Sequence, residues 1–116
     1  MPRRLACIGL LVVALLGLGA CGSVPVERQL ELTVTADGYD RPRLEARVGE
    51  QVFIRFRNSD TVAHNLTIEL PSGRRTVSAE AGVDAILAFP ARQAGTFRMF
   101  CTVPGHTEQG ELVILP

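Results

Sequence analysis

From Gln29 onward the chain alternates apolar and polar side chains. Leu30, Leu32 and Val34 fall between Glu31, Thr33 and Thr35, the period of two expected when a strand buries one face. Asp37-Gly38 breaks that run. Arg43 to Val48 repeats it, with Leu44, Ala46 and Val48 on one face, before Gly49-Glu50 turns the chain. Gln51 to Arg57 carries Val52 and Ile54, with Phe53 and Phe56 in less regular order, and sets Arg55 and Arg57 toward solvent. Further strands are predicted over His64 to Leu70, Arg74 to Ser78, Val83 to Phe89, Thr96 to Cys101 and Leu112 to Leu115. Pro71-Ser72-Gly73 closes the first of these, and Glu80-Ala81-Gly82, where a helical turn is the alternative, separates the next two. Strands spaced about eight to twelve residues apart, without a long amphipathic helix, predict an all-β sandwich or barrel.

The segment before Gln29 reads differently. Arg3 and Arg4 precede an apolar run from Leu5 to Leu18, the layout of a signal peptide and too short and Gly-interrupted for a membrane span. Leu18-Gly19-Ala20-Cys21 resembles the lipobox of bacterial lipoproteins, which implies that Cys21 becomes the lipidated first residue of the exported chain. The expected organisation is a signal peptide over 1–20, a tether over 21–28 holding the rest near the membrane, and one small domain over 29–116.

Charge excludes one class of partner. Once Arg3 and Arg4 leave with the signal, ten of the twelve basic residues face twelve acidic ones, so no nucleic-acid partner is expected. The cysteines say more. Cys7 lies in the signal and Cys21 is committed to lipid, so Cys101 has no disulfide partner in an oxidising compartment. A bound metal would protect it.

Cys101 sits five residues before His106, with Pro104-Gly105 between them. A strand running into Cys101 and a tight loop returning His106 bring a thiolate and an imidazole onto one ion, and that soft pair suits copper or zinc. A third ligand is needed, and the only other histidine is His64, at the end of the polar loop Asn58 to Ala63.

Three segments, in order, resemble the cupredoxins, the small blue-copper β-sandwich proteins. They are Arg43-x-x-x-x-Val48-Gly49-Glu50-x-Val52, Asn58-x-Asp60-x-x-x-His64-Asn65, and Gly95-Thr96-Phe97-x-Met99-Phe100-Cys101-x-x-Pro104-Gly105-His106. The resemblance implies a Greek-key β-sandwich of about 7–8 strands and one copper ion, cycling between Cu(I) and Cu(II), on His64, Cys101 and His106. It also implies that Asn65 ties the two ligand loops together, as the equivalent family position does.

The chain departs from the family at the axial position. Cupredoxins with this loop usually place a methionine five residues after the second histidine, where this chain has Glu111. Met99 matches a core position and is a poor substitute. Either Glu111 approaches the metal, or a short deletion has removed the methionine and Gly110-Glu111-Leu112-Val113-Ile114 begins the last strand, leaving Glu111 in solvent. The second is preferred because it buries no extra charge.

The function expected from the resemblance is that of a monomeric, membrane-anchored one-electron carrier in the bacterial cell envelope, with a redox partner there and no enzymatic activity of its own. The alternative is a protein that holds copper and delivers it to a copper-receiving protein. Two other readings, a nucleophilic Cys101 assisted by His106 and a fold kept only as a binding module, are weaker, the former because no orienting third residue is evident.

Overall fold

The computed structural model describes residues 24–116, so the expected signal peptide and Cys21 lie outside the described residues. The described chain forms nine strands and no helix: β1 (Val26–Thr35), β2 (Gly38–Tyr39), β3 (Arg43–Arg47), β4 (Glu50–Asn58), β5 (His64–Leu70), β6 (Gly73–Ala79), β7 (Asp84–Pro90), β8 (Gly95–Phe100) and β9 (Gln109–Leu115). They pack as two sheets, ordered β2-β1-β4-β7 and β3-β9-β8-β5-β6. Pairs β1/β4 and β3/β9 are parallel and the other pairs antiparallel. This is an all-β sandwich with strands distant in sequence lying side by side.

The alternation read from the sequence becomes the core. Leu32 and Val34, Val52, Ile54 and Phe56, Leu66 and Ile68, Leu87 and Phe89, Met99, and Leu112 and Ile114 all point between the sheets and are buried. Each such side chain contributes roughly 1.5–3 kcal/mol relative to an exposed one. Phe56 also meets Tyr39 edge-on, with ring centroids 6.2 Å apart.

Several details differ from the expectation. The ninth strand, β2, is only two residues long and pairs Gly38 and Tyr39 back onto Thr35 and Val34, too short to leave a periodic trace. Strand β1 begins at Val26, inside the segment expected to be a tether. Val48 lies in the turn after β3 and is exposed, not part of its buried face. Glu80 to Val83, by contrast, is the expected separator and not the helical alternative, a turn closed by Val83 N–H to Glu80 C=O at 3.0 Å. The buried carboxylate of Glu50, a residue that reads only as a turn, accepts from Arg28 Nε at 2.8 Å across the β1/β4 pair and from the Arg47 N–H.

The topology gathers one end of the second sheet into a site. Strands β5 and β8 run antiparallel side by side, pairing Thr67 with Phe100 and Ile68 with Met99. Carried on, that register sets Cys101, the residue that follows β8, opposite Leu66, two residues from His64 at the start of β5. Strand β9 is β8's other neighbour, pairing Gln109 with Phe100, so the connecting loop, residues 101–108, folds back over the same end.

Candidate metal centre

Each ligand-bearing loop is fastened by its own residues. In the β4–β5 loop, the buried Asn58 side chain donates to Val62 C=O at 2.8 Å and Ala79 C=O at 2.9 Å and accepts from the Asp60 N–H at 2.9 Å. These bonds fix the backbone just ahead of His64. In the β8–β9 loop, the His106 N–H donates to Val103 C=O at 3.0 Å, closing a turn with Pro104 and Gly105 at its centre. Gly105 has φ 82°, the value a type II turn needs at its third residue, and Pro104 supplies the fixed φ of the second. The turn swings His106 back toward Cys101, whose own N–H reaches Glu108 C=O at 3.3 Å.

Asn65 joins the two loops. Its side chain donates to Thr102 Oγ1 at 2.7 Å and accepts from the Thr102 N–H at 2.9 Å, while its backbone N–H points at Cys101 Sγ at 3.4 Å. Tyr39 adds a bond from the other sheet, its hydroxyl donating to Asn65 C=O at 2.9 Å.

Four donor atoms converge here. One atom each from His64, Cys101, His106 and Glu108 lies within 4.8 Å of all the others. His106 Nδ1 is 3.7 Å from Cys101 Sγ, 3.1 Å from His64 Nδ1 and 3.4 Å from a Glu108 carboxylate oxygen. A tetrahedral ion with bonds of about 2.0–2.3 Å spaces its ligands about 3.3–3.6 Å apart; the separations around His106 lie within a few tenths of an ångström of that spacing, whereas His64 Nδ1 and Glu108 are in direct hydrogen-bonding contact and would have to part to share an ion. A thiolate and two imidazoles form a set that soft transition metals favour. The His64, Cys101 and Glu108 side chains are nearly sealed, while that of His106 retains 21 % exposure and forms the site's outer edge.

The surroundings orient these groups. His64 Nε2 lies 2.7 Å from Asp60 Oδ2, and its Nδ1 faces the Glu108 carboxylate. The Asp60 carboxylate at Nε2 fixes the ring's rotation so that Nδ1 turns into the site. Burial works against a charged His64, but Asp60 and Glu108 outweigh it, and its pKa stands above the ordinary histidine value. Burial pushes the Cys101 thiol up, opposed by the N–H groups of Asn65 and Val103. Burial also works against the Glu108 carboxylate, yet hydrogen bonds from its own backbone, His64 and Cys101 leave its pKa below the usual range.

The structure brings the three residues singled out in the sequence, His64, Cys101 and His106, to one point, and Asn65 bridges their loops as expected. Glu111 lies elsewhere. It is exposed on β9, opposite Arg98, with its N–H bonded to Pro42 C=O at 2.9 Å, as the deletion alignment requires. The acidic residue that enters the site is Glu108, which the sequence reading missed. Its signal is its place on the returning loop, two residues beyond His106 and three before Glu111.

A family model described as a cupredoxin-like domain matches residues 8–114. Among solved structures, the chain is similar to dithionite-reduced auracyanin from the photosynthetic bacterium Roseiflexus castenholzii, at 17% identity and a TM-score of 0.70, covering 78% of this chain and 99% of that one. It is also similar to auracyanin A, described as a "blue" copper protein, from the green thermophilic photosynthetic bacterium Chloroflexus aurantiacus. There the identity is 24% and the TM-score 0.63, with 76% of this chain and 98% of that one covered. A copper-containing nitrite reductase from Thermus scotoductus matches at 24% identity and a TM-score of 0.61, covering 78% of this chain but 28% of that one. These likenesses show the shared fold. A search of curated proteins finds no match to the chain.

Proposed function

This chain belongs to the cupredoxin-like domain family, and on that premise we propose that it is an exported copper protein that passes single electrons at the bacterial membrane surface, with His64, Cys101 and His106 as copper ligands. One observation carries the reading: the Nδ1 atoms of both histidines and the Cys101 sulfur turn toward one point. Bound copper would supply the one-electron couple between Cu(I) and Cu(II).

The chain supplies fixity and access. Asn65 locks the loop of Cys101 to that of His64, and the Asp60 carboxylate holds the His64 ring, so the ligands stay in place whichever charge the ion carries. His106, the exposed member, offers the edge through which a redox partner in the cell envelope would make contact. The proposed lipid on Cys21 would keep the domain at the membrane on a short tether. Nothing in the donor set requires a substrate, which favours a carrier over an enzyme, and the nitrite reductase matches over only 28% of its length.

Voltammetry of the copper-loaded protein tests this reading. A fast, reversible one-electron couple with copper retained through many cycles is the expected result. Rapid surrender of Cu(I) to a competing chelator, with no reversible couple, would replace electron transfer with copper delivery.

A further inference from the structure

We propose that Glu108 is a fourth ligand of this centre, an anionic oxygen donor that biases the site toward a divalent ion and a low reduction potential. The inference rests on the copper reading above and completes its donor set.

The first argument is positional. The Glu108 carboxylate is 3.4 Å from His106 Nδ1 and in contact with His64 Nδ1, and its side chain is only 6% exposed. Its backbone is fixed by the Cys101 N–H, which bonds to its C=O, and the glycine at 38 leaves its Cβ room, since a side chain there would begin 3.4 Å away. The competing donors are placed elsewhere. Met99 is fully buried in the core, and Glu111 is exposed on β9.

The second argument concerns the hydrogen bond the two groups share. His64 Nδ1 is in direct hydrogen-bonding contact with the Glu108 carboxylate, while His64 Nε2 meets Asp60. A metal ion that takes Nδ1 as a ligand takes the place of the shared proton, and the Glu108 oxygen, left without that partner in a nearly sealed space, stands beside the cation.

The third argument is charge. With two neutral imidazoles and one thiolate, Cu(II) leaves a net positive charge in a buried site and Cu(I) leaves none. Adding the Glu108 carboxylate makes the Cu(II) site neutral and gives the Cu(I) site a negative charge. An uncompensated buried charge is costly, so Glu108 stabilises the divalent state. Its hard oxygen acts in the same direction, because carboxylates suit Cu(II) and Zn(II) better than soft Cu(I).

The test compares the purified protein with Glu108→Gln, which keeps the side chain's shape, and Glu108→Ala, using Glu111→Gln as the remote control. Both Glu108 variants are expected to lower the ratio of Cu(II) to Cu(I) affinity at least tenfold, which for one electron is a rise of about 59 mV in potential. Zn(II) affinity should fall tenfold or more with Cu(I) affinity nearly unchanged, and the charge-transfer spectrum should move from a green or red pattern toward blue. Glu111→Gln should change none of these. X-ray absorption of the copper-loaded wild type provides a readout independent of any variant, and one sulfur with three nitrogen or oxygen neighbours at bonding distance is expected. Only two such neighbours, or a Glu108→Gln protein with unchanged potential and spectrum, would overturn the assignment while leaving the three-ligand copper site intact. A wild type that shows no thiolate-to-copper band would defeat the copper reading and this inference together.

Discussion

Asn65→Ala is expected to loosen the two ligand loops even when no metal is bound. The substitution removes the bonds to Thr102 Oγ1 at 2.7 Å and from the Thr102 N–H at 2.9 Å, and an acceptor for Thr67 Oγ1 at 3.2 Å. Thr67 keeps Thr76 Oγ1 at 2.9 Å, so its loss counts for little. Each Thr102 bond contributes roughly 0.5–1.5 kcal/mol net, giving about 2 kcal/mol for the pair. For a domain this size that is about 8–16 °C in melting temperature. The assay is thermal or urea unfolding followed by circular dichroism in a chelating buffer. Thr102→Val removes the hydroxyl partner but keeps the N–H, and is expected to cost about half as much. The double variant should then show a coupling of about 1 kcal/mol. A loss under about 0.5 kcal/mol for Asn65→Ala, the level of an ordinary surface change, would refute the idea that this side chain ties the loops together.

His106→Ala is expected to open a position at the site's exposed edge that added imidazole fills, restoring the copper spectrum; no restoration together with undiminished copper affinity would remove His106 from the ligand set. Gly105→Ala forces a side chain onto φ 82° with no neighbour within 4 Å to clash, so its cost is backbone strain alone, roughly 1–2 kcal/mol in urea unfolding. An unchanged midpoint would mean that the turn relaxes freely. Cys21→Ala is expected to move the protein from the membrane fraction to the soluble exported fraction, and unchanged membrane association would locate the anchor in the apolar run before it.

The core was largely legible because one-sided burial leaves a period of two in the sequence. Leu32 and Val34, or Val52 and Ile54, needed no tertiary information to be placed, whereas Phe56, read in less regular order beside Phe53, takes its place on the same face in the folded sandwich. His64, Cys101 and His106 stood out for a different reason: with two histidines and one thiol not otherwise committed, scarcity itself pointed to them. Glu108 had no such distinction. It is one of twelve acidic residues, and what makes it special is a contact with His64, 44 positions away, which only the closed sandwich creates. Glu50 was hidden in the same way, since its burial depends on Arg28 arriving from the parallel strand β1. Strand β2 escaped because two residues cannot show a period, and its role is to bring Tyr39 onto Phe56 and Asn65.

The central claim, that Cys101 and the two histidines hold a redox-active copper ion, is tested most directly by the optical and electron spin resonance spectra of the Cu(II)-loaded protein beside those of Cys101→Ser. Cys101 is the one free cysteine among the described residues, and its sulfur shares the site with both Nδ1 atoms. The wild type is therefore predicted to show an intense visible thiolate-to-copper band, and Cys101→Ser, folded by circular dichroism, is predicted to lose it completely. An intense band that survives in Cys101→Ser, or one that is missing from copper-loaded wild type, would contradict the account.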